Sequence, residues 1–246
     1  MLFTDFHVNG GIVTHDTAPE ETIKLFSKCI QQQNDLVQMA IRFVWEKKRE
    51  TYPNMEIARR ELATSSTLHR GFYCPSPIIE YVIGRVKRGK ILKRPTKRSQ
   101  IAYEYFFRPD GKLAYVKNYG GKAGFFTAEY LLYGENRTYG ITLLDDIPCA
   151  VSEERYEAQL LTSYTYISFF CEKNDSSFRL SNEMISHEKY SYDNSGLCQW
   201  DLISADIKRN YIDHQKYIFS RENGMVCSYA SVNPATGQAE GWYPIL

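Results

Sequence analysis

The sequence lacks the features that would place it in a membrane or outside the cell. No apolar run approaches the roughly 20 residues that a membrane-spanning helix needs. Residues 1–11 lack the basic start and the apolar stretch of a secretory signal. The six cysteines include no Cys-x-x-Cys pair. We therefore expect a cytoplasmic protein with reduced thiols and no membrane partner.

Local catalytic and cofactor motifs are also missing. None of the five histidines has a second histidine at the four-residue spacing of a zinc protease. The glycine-rich stretch at residues 120–124 lacks the Walker spacing and the Lys-Ser/Thr pair of a phosphate-binding loop. The sequence therefore predicts no metal or cofactor. An enzyme whose active site is assembled from distant residues stays open, because such a site leaves no local motif.

Aromatic residues are abundant and recur in a hairpin pattern. The chain has 19 Tyr and 13 Phe. Alternating residues 103–107 break at Arg108-Pro109-Asp110-Gly111 and resume at residues 113–116. The same pattern joins residues 125–133 to 139–143, 190–192 to 197–202, and 217–219 to 226–232. Alternation around Gly-containing turns predicts an antiparallel meander of about eight or more strands, with a positive φ at Gly111.

The N-terminal third predicts helices instead. Thr17 is a suitable N-cap, and the apolar residues that follow share one helical stripe: Ile23, Phe26, Ile30, Val37, Ile41 and Val44. Residues 54–63 predict a further short helix. Residues 76–86 favour another short helix, although their β-branched residues also fit a strand. The expected fold class is α+β, with N-terminal helices packed on a large twisted antiparallel β-meander. We expect a helical region at 1–95 and a β body at 96–246 in one compact unit.

A net charge of +1 conceals one strongly basic segment. Residues 84–98 contain no acidic residue and eight basic ones: Arg85, Lys87, Arg88, Lys90, Lys93, Arg94, Lys97 and Arg98. Such a segment can be a solvated edge that prevents strand pairing, a surface for an acidic protein, or a contact for phosphates. No aromatic residue interleaves the run, which disfavours base stacking. The three interpretations stay open at this stage.

Acidic residues concentrate near Pro148, and such a cluster could steer a basic partner. The candidate partner-binding residues are therefore Arg85, Lys87, Arg88, Lys93, Arg94, Asp145, Asp146, Glu153 and Glu154.

The stretch from Lys93-Arg94-Pro95 to Leu113, with its aromatic run and Asp-Gly turn, resembles bacterial immunity proteins encoded beside polymorphic toxins. The resemblance implies a non-catalytic protein that binds and neutralises a cognate toxin domain in the cytoplasm. Exposed tyrosines of the sheet would then be candidate anchors for the partner. The alternative function is nucleic-acid binding or processing through residues 85–98. The sequence leaves the oligomeric state open.

Overall fold

The computed structural model is dominated by one antiparallel sheet. It describes residues 2–5, 7–9, 12–14, 20, 24, 35–43, 55–96, 99–120, 126–144, 147–174, 177–206, 211–233 and 236–245. The strands are β1 Leu2–Asp5, β2 His7–Asn9, β3 Ile12–Thr14, β4 Arg59–Ala63, β5 Tyr103–Phe107, β6 Leu113–Asn118, β7 Thr127–Tyr133, β8 Arg137–Leu144, β9 Ile147–Glu157, β10 Leu160–Asn174, β11 Ser177–Asp193, β12 Gly196–Asp206, β13 Tyr211–Glu222, β14 Met225–Val232 and β15 Ala239–Pro244.

With the exception of β1, neighbouring strands in the sheet follow one another in the chain. Strands β4 to β15 follow one another in sequence order, and β1 pairs with β13 to complete a 13-stranded sheet. Strands β2 and β3 form a separate hairpin. The predicted meander is confirmed, including the hairpins that join β7 to β8, β11 to β12, and β13 to β14.

The Asp110-Gly111 turn shows why these hairpins form. Phe107 pairs with Leu113 across the turn, and Gly111 has φ of +80°. The Gly111 amide donates to the Arg108 carbonyl oxygen at 3.0 Å. The predicted positive φ is confirmed, and glycine is the residue that adopts it without a steric penalty.

Replacing Gly111 with Val should destabilise the fold by roughly 1–3 kcal/mol. A Cβ at Gly111 would meet no atom within 4 Å, so the cost is backbone strain rather than a clash. Urea unfolding of Gly111→Val and Gly134→Val measures it. Gly134 lies in the next hairpin and has no positive φ, so its variant should unfold close to wild type. Equal midpoints for both variants would contradict the strain explanation.

The α+β prediction is wrong, because the architecture is a large antiparallel sheet with little helix. Within the described residues, helix is found at 20, 24, 35–43 and Ile79–Val82, with a 3₁₀ turn at Gly71–Tyr73. Residues 59–63, predicted as helix, form β4 instead. These residues form a strand because they pair with β5. Arg59 lies opposite Phe107 in this pairing, 4.1 Å from the centroid of its ring. Most of the predicted helix that begins near Thr17 lies outside the described residues.

The two faces of the sheet are covered differently. We call face A the side on which Ile141, Val151, Ile167 and Ile185 lie in one row of paired residues. These side chains form a core with the buried Leu36, Val37, Ala40 and Phe43 of the helical residues 35–43. Alternation along the strands places their sequence neighbours on face B.

Face B is covered by residues 64–92, which we call the covering segment. It leaves the sheet edge after Ala63 and returns to that edge, where Ile91 forms a bridge with Ala63. In between it reaches β14, because the Tyr229 hydroxyl donates to the Val82 carbonyl oxygen at 3.3 Å. Ile78 and Val82 pack there in a core with Trp200 and other residues of face B.

No helix in the described part of the chain is long and apolar enough to span a membrane. Cys74, Cys149, Cys198 and Cys227 form no disulfide bond.

Candidate functional site

A buried arginine joins the covering segment to face B. The Arg70 side chain is 4% exposed and contacts two carboxylates from different strands. Its Nη1 donates to Glu154 Oε1 at 2.5 Å, and its Nη2 donates to Glu129 Oε1 at 2.8 Å. Nη2 also lies 3.1 Å from Ser152 Oγ. The planar guanidinium suits this contact, because its N–H groups can reach several acceptors at once.

The backbone at Arg70 is held in a rare conformation. Its φ of +62° is left-handed, which is uncommon for a residue other than glycine. Tyr105 stabilises the turn, since its hydroxyl donates to the Arg70 carbonyl oxygen at 3.1 Å and accepts from the Phe72 amide at 2.9 Å. This turn directs the Arg70 side chain toward the sheet.

Gly140 in β8 provides the space in which the guanidinium lies. A Cβ there would overlap Glu129 Oε1 and Ser152 Oγ, and would lie 2.9 Å from Arg70 Nη2. Gly140 pairs with Leu131 and Ser152, directly between the strands that supply the acceptors. A glycine in a strand interior commonly marks such a close approach.

The charges of this cluster stabilise one another. Burial by itself raises the pKa of Glu129, but the charges of Arg70 and His69 outweigh it and hold that pKa well below the ordinary value of 4.5. Burial likewise lowers the pKa of Arg70, but the carboxylates of Glu129 and Glu154 raise it well above its usual range. Glu129 and Arg70 are therefore both charged inside the protein.

His69 connects the cluster to two tyrosines. Its Nδ1 is hydrogen-bonded to the Tyr164 hydroxyl, and its Nε2 lies 3.1 Å from Glu129 Oε2, off the line of a good hydrogen bond. The imidazole packs against Tyr166 with ring centroids 4.2 Å apart. Burial raises the pKa of Tyr164 well above its usual range, so the phenol stays protonated. This chain of groups orders His69 but does not activate Tyr164 as a nucleophile.

A second buried carboxylate, Glu188 in β11, forms no ion pair within the described part of the chain. One oxygen, Oε2, accepts three hydrogen bonds, from Ser76 Oγ at 2.6 Å, the Tyr190 hydroxyl at 2.5 Å and Trp200 Nε1 at 2.9 Å. Burial raises the pKa of Glu188, and these donors offset the rise only in part. Burial also raises the pKa of the nearby Cys74 thiol to about 12, which keeps it protonated and a poor nucleophile.

A cavity of about 490 Å³ lies between the covering segment and face B. It runs from the exposed Thr67 and Met184 to the buried Cys74 and Glu188. His69, Arg70, Glu129 and three tyrosines also line it, namely Tyr103, Tyr164 and Tyr166. Within the residues the structure describes, no group of three His, Cys, Asp or Glu side chains is placed to hold a metal ion.

The predicted basic residues lie on the outer part of the covering segment. Arg85, Lys87, Lys93 and Arg94 are exposed, as is Lys90. Arg88 differs, because it is partly buried and binds the segment itself. Its guanidinium donates to the Cys74 carbonyl oxygen at 2.5 Å and to the Ser76 carbonyl oxygen, and its Nε lies 2.9 Å from Glu80 Oε2.

The predicted acidic residues are not gathered with the basic ones. Glu153 lies on face A, where it pairs with Arg155 at 2.9 Å. Glu154 lies on face B and pairs with Arg70. Both are at most 5% exposed, so these carboxylates hold the fold together. Asp145 and Asp146 lie outside the described residues.

Sequence reasoning missed the buried contact of Arg70 with Glu129 and the separate buried carboxylate of Glu188. A signal was present in the alternation of the strands. Glu129 lies on the same side of its strand as the buried Leu131, and an inward carboxylate requires a buried partner. That signal does not reveal the partner, since Arg70 lies in an irregular segment with no periodic pattern.

No protein-family model matches the chain, and no curated protein sequence matches it. The resemblance to immunity proteins therefore depends on the residues quoted above and stays a prediction.

Proposed function

We propose that the protein is a non-catalytic binding protein whose docking surface is the exposed basic part of the covering segment. We call this surface the basic ridge and define it by Arg85, Lys87, Lys90, Lys93 and Arg94. One observation carries the proposal: all five side chains are exposed, and none has an ion-pair partner among the described residues. Elsewhere on the described surface, arginines such as Arg108 and Arg155 pair with carboxylates.

The backbone beneath the basic ridge is fixed by hydrogen bonds to the sheet edge. The Thr64 amide donates to the Lys90 carbonyl oxygen at 3.0 Å, and the Leu92 amide donates to the Leu62 carbonyl oxygen at 2.8 Å. Ser66 Oγ donates to the Lys87 carbonyl oxygen at 2.5 Å. Ordering a surface before binding reduces the entropy lost on association. This support favours a binding surface over a merely solvated loop.

The charge of the basic ridge favours an acidic protein partner. Clustered cations accelerate encounter with an acidic surface and disfavour basic partners. Exposed aromatic rings nearby, Phe72 and Tyr81, offer anchors of the kind that contribute most to interface energy. Together with the resemblance to immunity proteins, these features support a cytoplasmic protein that binds and neutralises an acidic toxin domain.

The test is binding to the toxin domain encoded beside this protein's gene, measured by calorimetry and stopped-flow kinetics. Lys87→Glu/Lys93→Glu should weaken binding by at least about tenfold, mainly through slower association, and the loss should shrink at high salt. Arg88 stays unchanged in this variant, because it holds the covering segment. Lys112→Glu/Lys189→Glu is the matched control, since both lysines are exposed and lie away from the basic ridge.

Two results would contradict the proposal. One is equal weakening by the two double variants, which would show a nonspecific charge effect. The other is a salt-sensitive, sub-micromolar complex with single-stranded RNA or duplex DNA that Lys87→Glu/Lys93→Glu abolishes. That result would assign the basic ridge to nucleic acid, the alternative function.

A further inference from the structure

The cavity beneath the covering segment has the size of a small-molecule site. Its volume of about 490 Å³ lies in the range of ligand pockets, which are mostly apolar with a few converging polar groups. Its apolar lining comprises Leu68, Ile79, Val86, Val116 and Met184. The guanidinium of Arg70 in its wall is already occupied by Glu129, Glu154 and Ser152. The remaining polar groups of the lining therefore determine what the cavity could bind.

One carboxylate oxygen of Glu188 has no donor among the described residues and is open to the cavity. The residue is 2% exposed, and all three of its donors reach Oε2. Oε1 accepts no hydrogen bond from any described residue, although Glu188 lines the cavity. A carboxylate oxygen that faces a cavity without a protein donor takes its hydrogen bonds from water or from a ligand.

Two hydroxyl groups lie next to this carboxylate. Tyr166 pairs with Ser186 in the sheet, and the neighbouring pair on the same face is Tyr164 with Glu188. Within the described part of the chain, neither the Tyr166 hydroxyl nor Ser186 Oγ has a hydrogen-bond partner. Tyr166, Ser186 and Glu188 all line the cavity, so their polar groups border the same space.

We infer that this cavity binds a small organic amine in its ammonium form, with an apolar body. The ammonium group donates to Glu188 Oε1, with the hydroxyls of Tyr166 and Ser186 as further acceptors. The rings of Tyr103, Tyr164 and Tyr166 favour a cation because their faces are electron-rich. An anionic ligand is disfavoured beside Glu188, because that carboxylate would repel it and the Arg70 guanidinium is already bound to Glu129 and Glu154. The inference does not depend on the partner of the basic ridge.

Three probes of similar shape test the inference by calorimetry. We expect 2-phenylethylamine to bind saturably and at least about tenfold more tightly than 2-phenylethanol, because a charge-assisted hydrogen bond replaces a neutral one. The acid 3-phenylpropionate should bind more weakly than either. Trp200 Nε1 donates to the same carboxylate, so its fluorescence should also change with the amine.

Two variants locate the site. Glu188→Gln retains the shape of the side chain and should remove the preference for the amine over the alcohol. Glu153→Gln is the matched control, because it also removes a buried carboxylate but on face A, and it should retain the preference. The inference would be overturned by equal binding of amine and alcohol, by unchanged amine binding to Glu188→Gln, or by no binding of the amine in the millimolar range.

Discussion

Replacing Arg70 with Met should lower the free energy of unfolding by about 3–5 kcal/mol at neutral pH. The substitution keeps an extended side chain but leaves Glu129 and Glu154 buried without their shared cation. An uncompensated buried charge is among the most destabilising changes a single substitution makes. Urea unfolding followed by circular dichroism measures the effect.

Two further variants separate this charge effect from a packing effect. Arg108→Gln removes a partly exposed surface arginine that pairs with Asp110, and should cost less than about 1 kcal/mol. Arg70→Met/Glu129→Gln/Glu154→Gln removes the charges together and should recover part of the loss. If the triple variant unfolds as easily as Arg70→Met, the destabilisation arises from packing, and the electrostatic explanation is wrong.

Replacing Gly140 with Ala should cost about 2–3 kcal/mol or more, although alanine is ordinarily tolerated in a strand. The added Cβ would overlap Glu129 Oε1 and Ser152 Oγ, both of which sit beside the Arg70 guanidinium. The side chains must move, and the ion pairs beneath them are disturbed. Thermal and urea unfolding of the variant measure the loss.

Gly134→Ala is the control from the same hairpin. A Cβ at Gly134 would come no closer than 3.5 Å, to the Arg137 carbonyl oxygen, so this variant should unfold almost as wild type does. Similar stabilities of Gly140→Ala and Gly134→Ala would show that the stability of the fold does not depend on the space over Gly140.

The hairpins of the sheet could be predicted because their signals are local. The alternating residues and the Asp110-Gly111 turn specify which strands pair, and the register of Phe107 with Leu113 follows from the turn. The strand at Arg59–Ala63 could not be predicted in this way. Its few residues also fit a helix, and they become a strand because β5 offers a paired edge.

The candidate site was harder to predict because its residues converge from distant parts of the chain. Arg70 and Glu154 are separated by 84 positions and meet only when the covering segment crosses the sheet. The acidic cluster near Pro148 predicted a surface, but Glu153 and Glu154 lie within β9 and face the two covered sides of the sheet. The basic residues show the same limit: the residues of the basic ridge are exposed, but Arg88 in the same run is partly buried and binds the covering segment, which charge in the sequence does not reveal.

The central claim is that Arg70 holds the covering segment on face B. This segment forms one wall of the cavity and carries the basic ridge. Hydrogen exchange followed by mass spectrometry tests it in wild type and in Arg70→Lys, which retains the charge but loses the multiple contacts of the guanidinium. We expect faster exchange at residues 66–82, with the β11–β12 hairpin unchanged. Unchanged protection at residues 66–82, or an equal loss throughout the sheet, would contradict the claim.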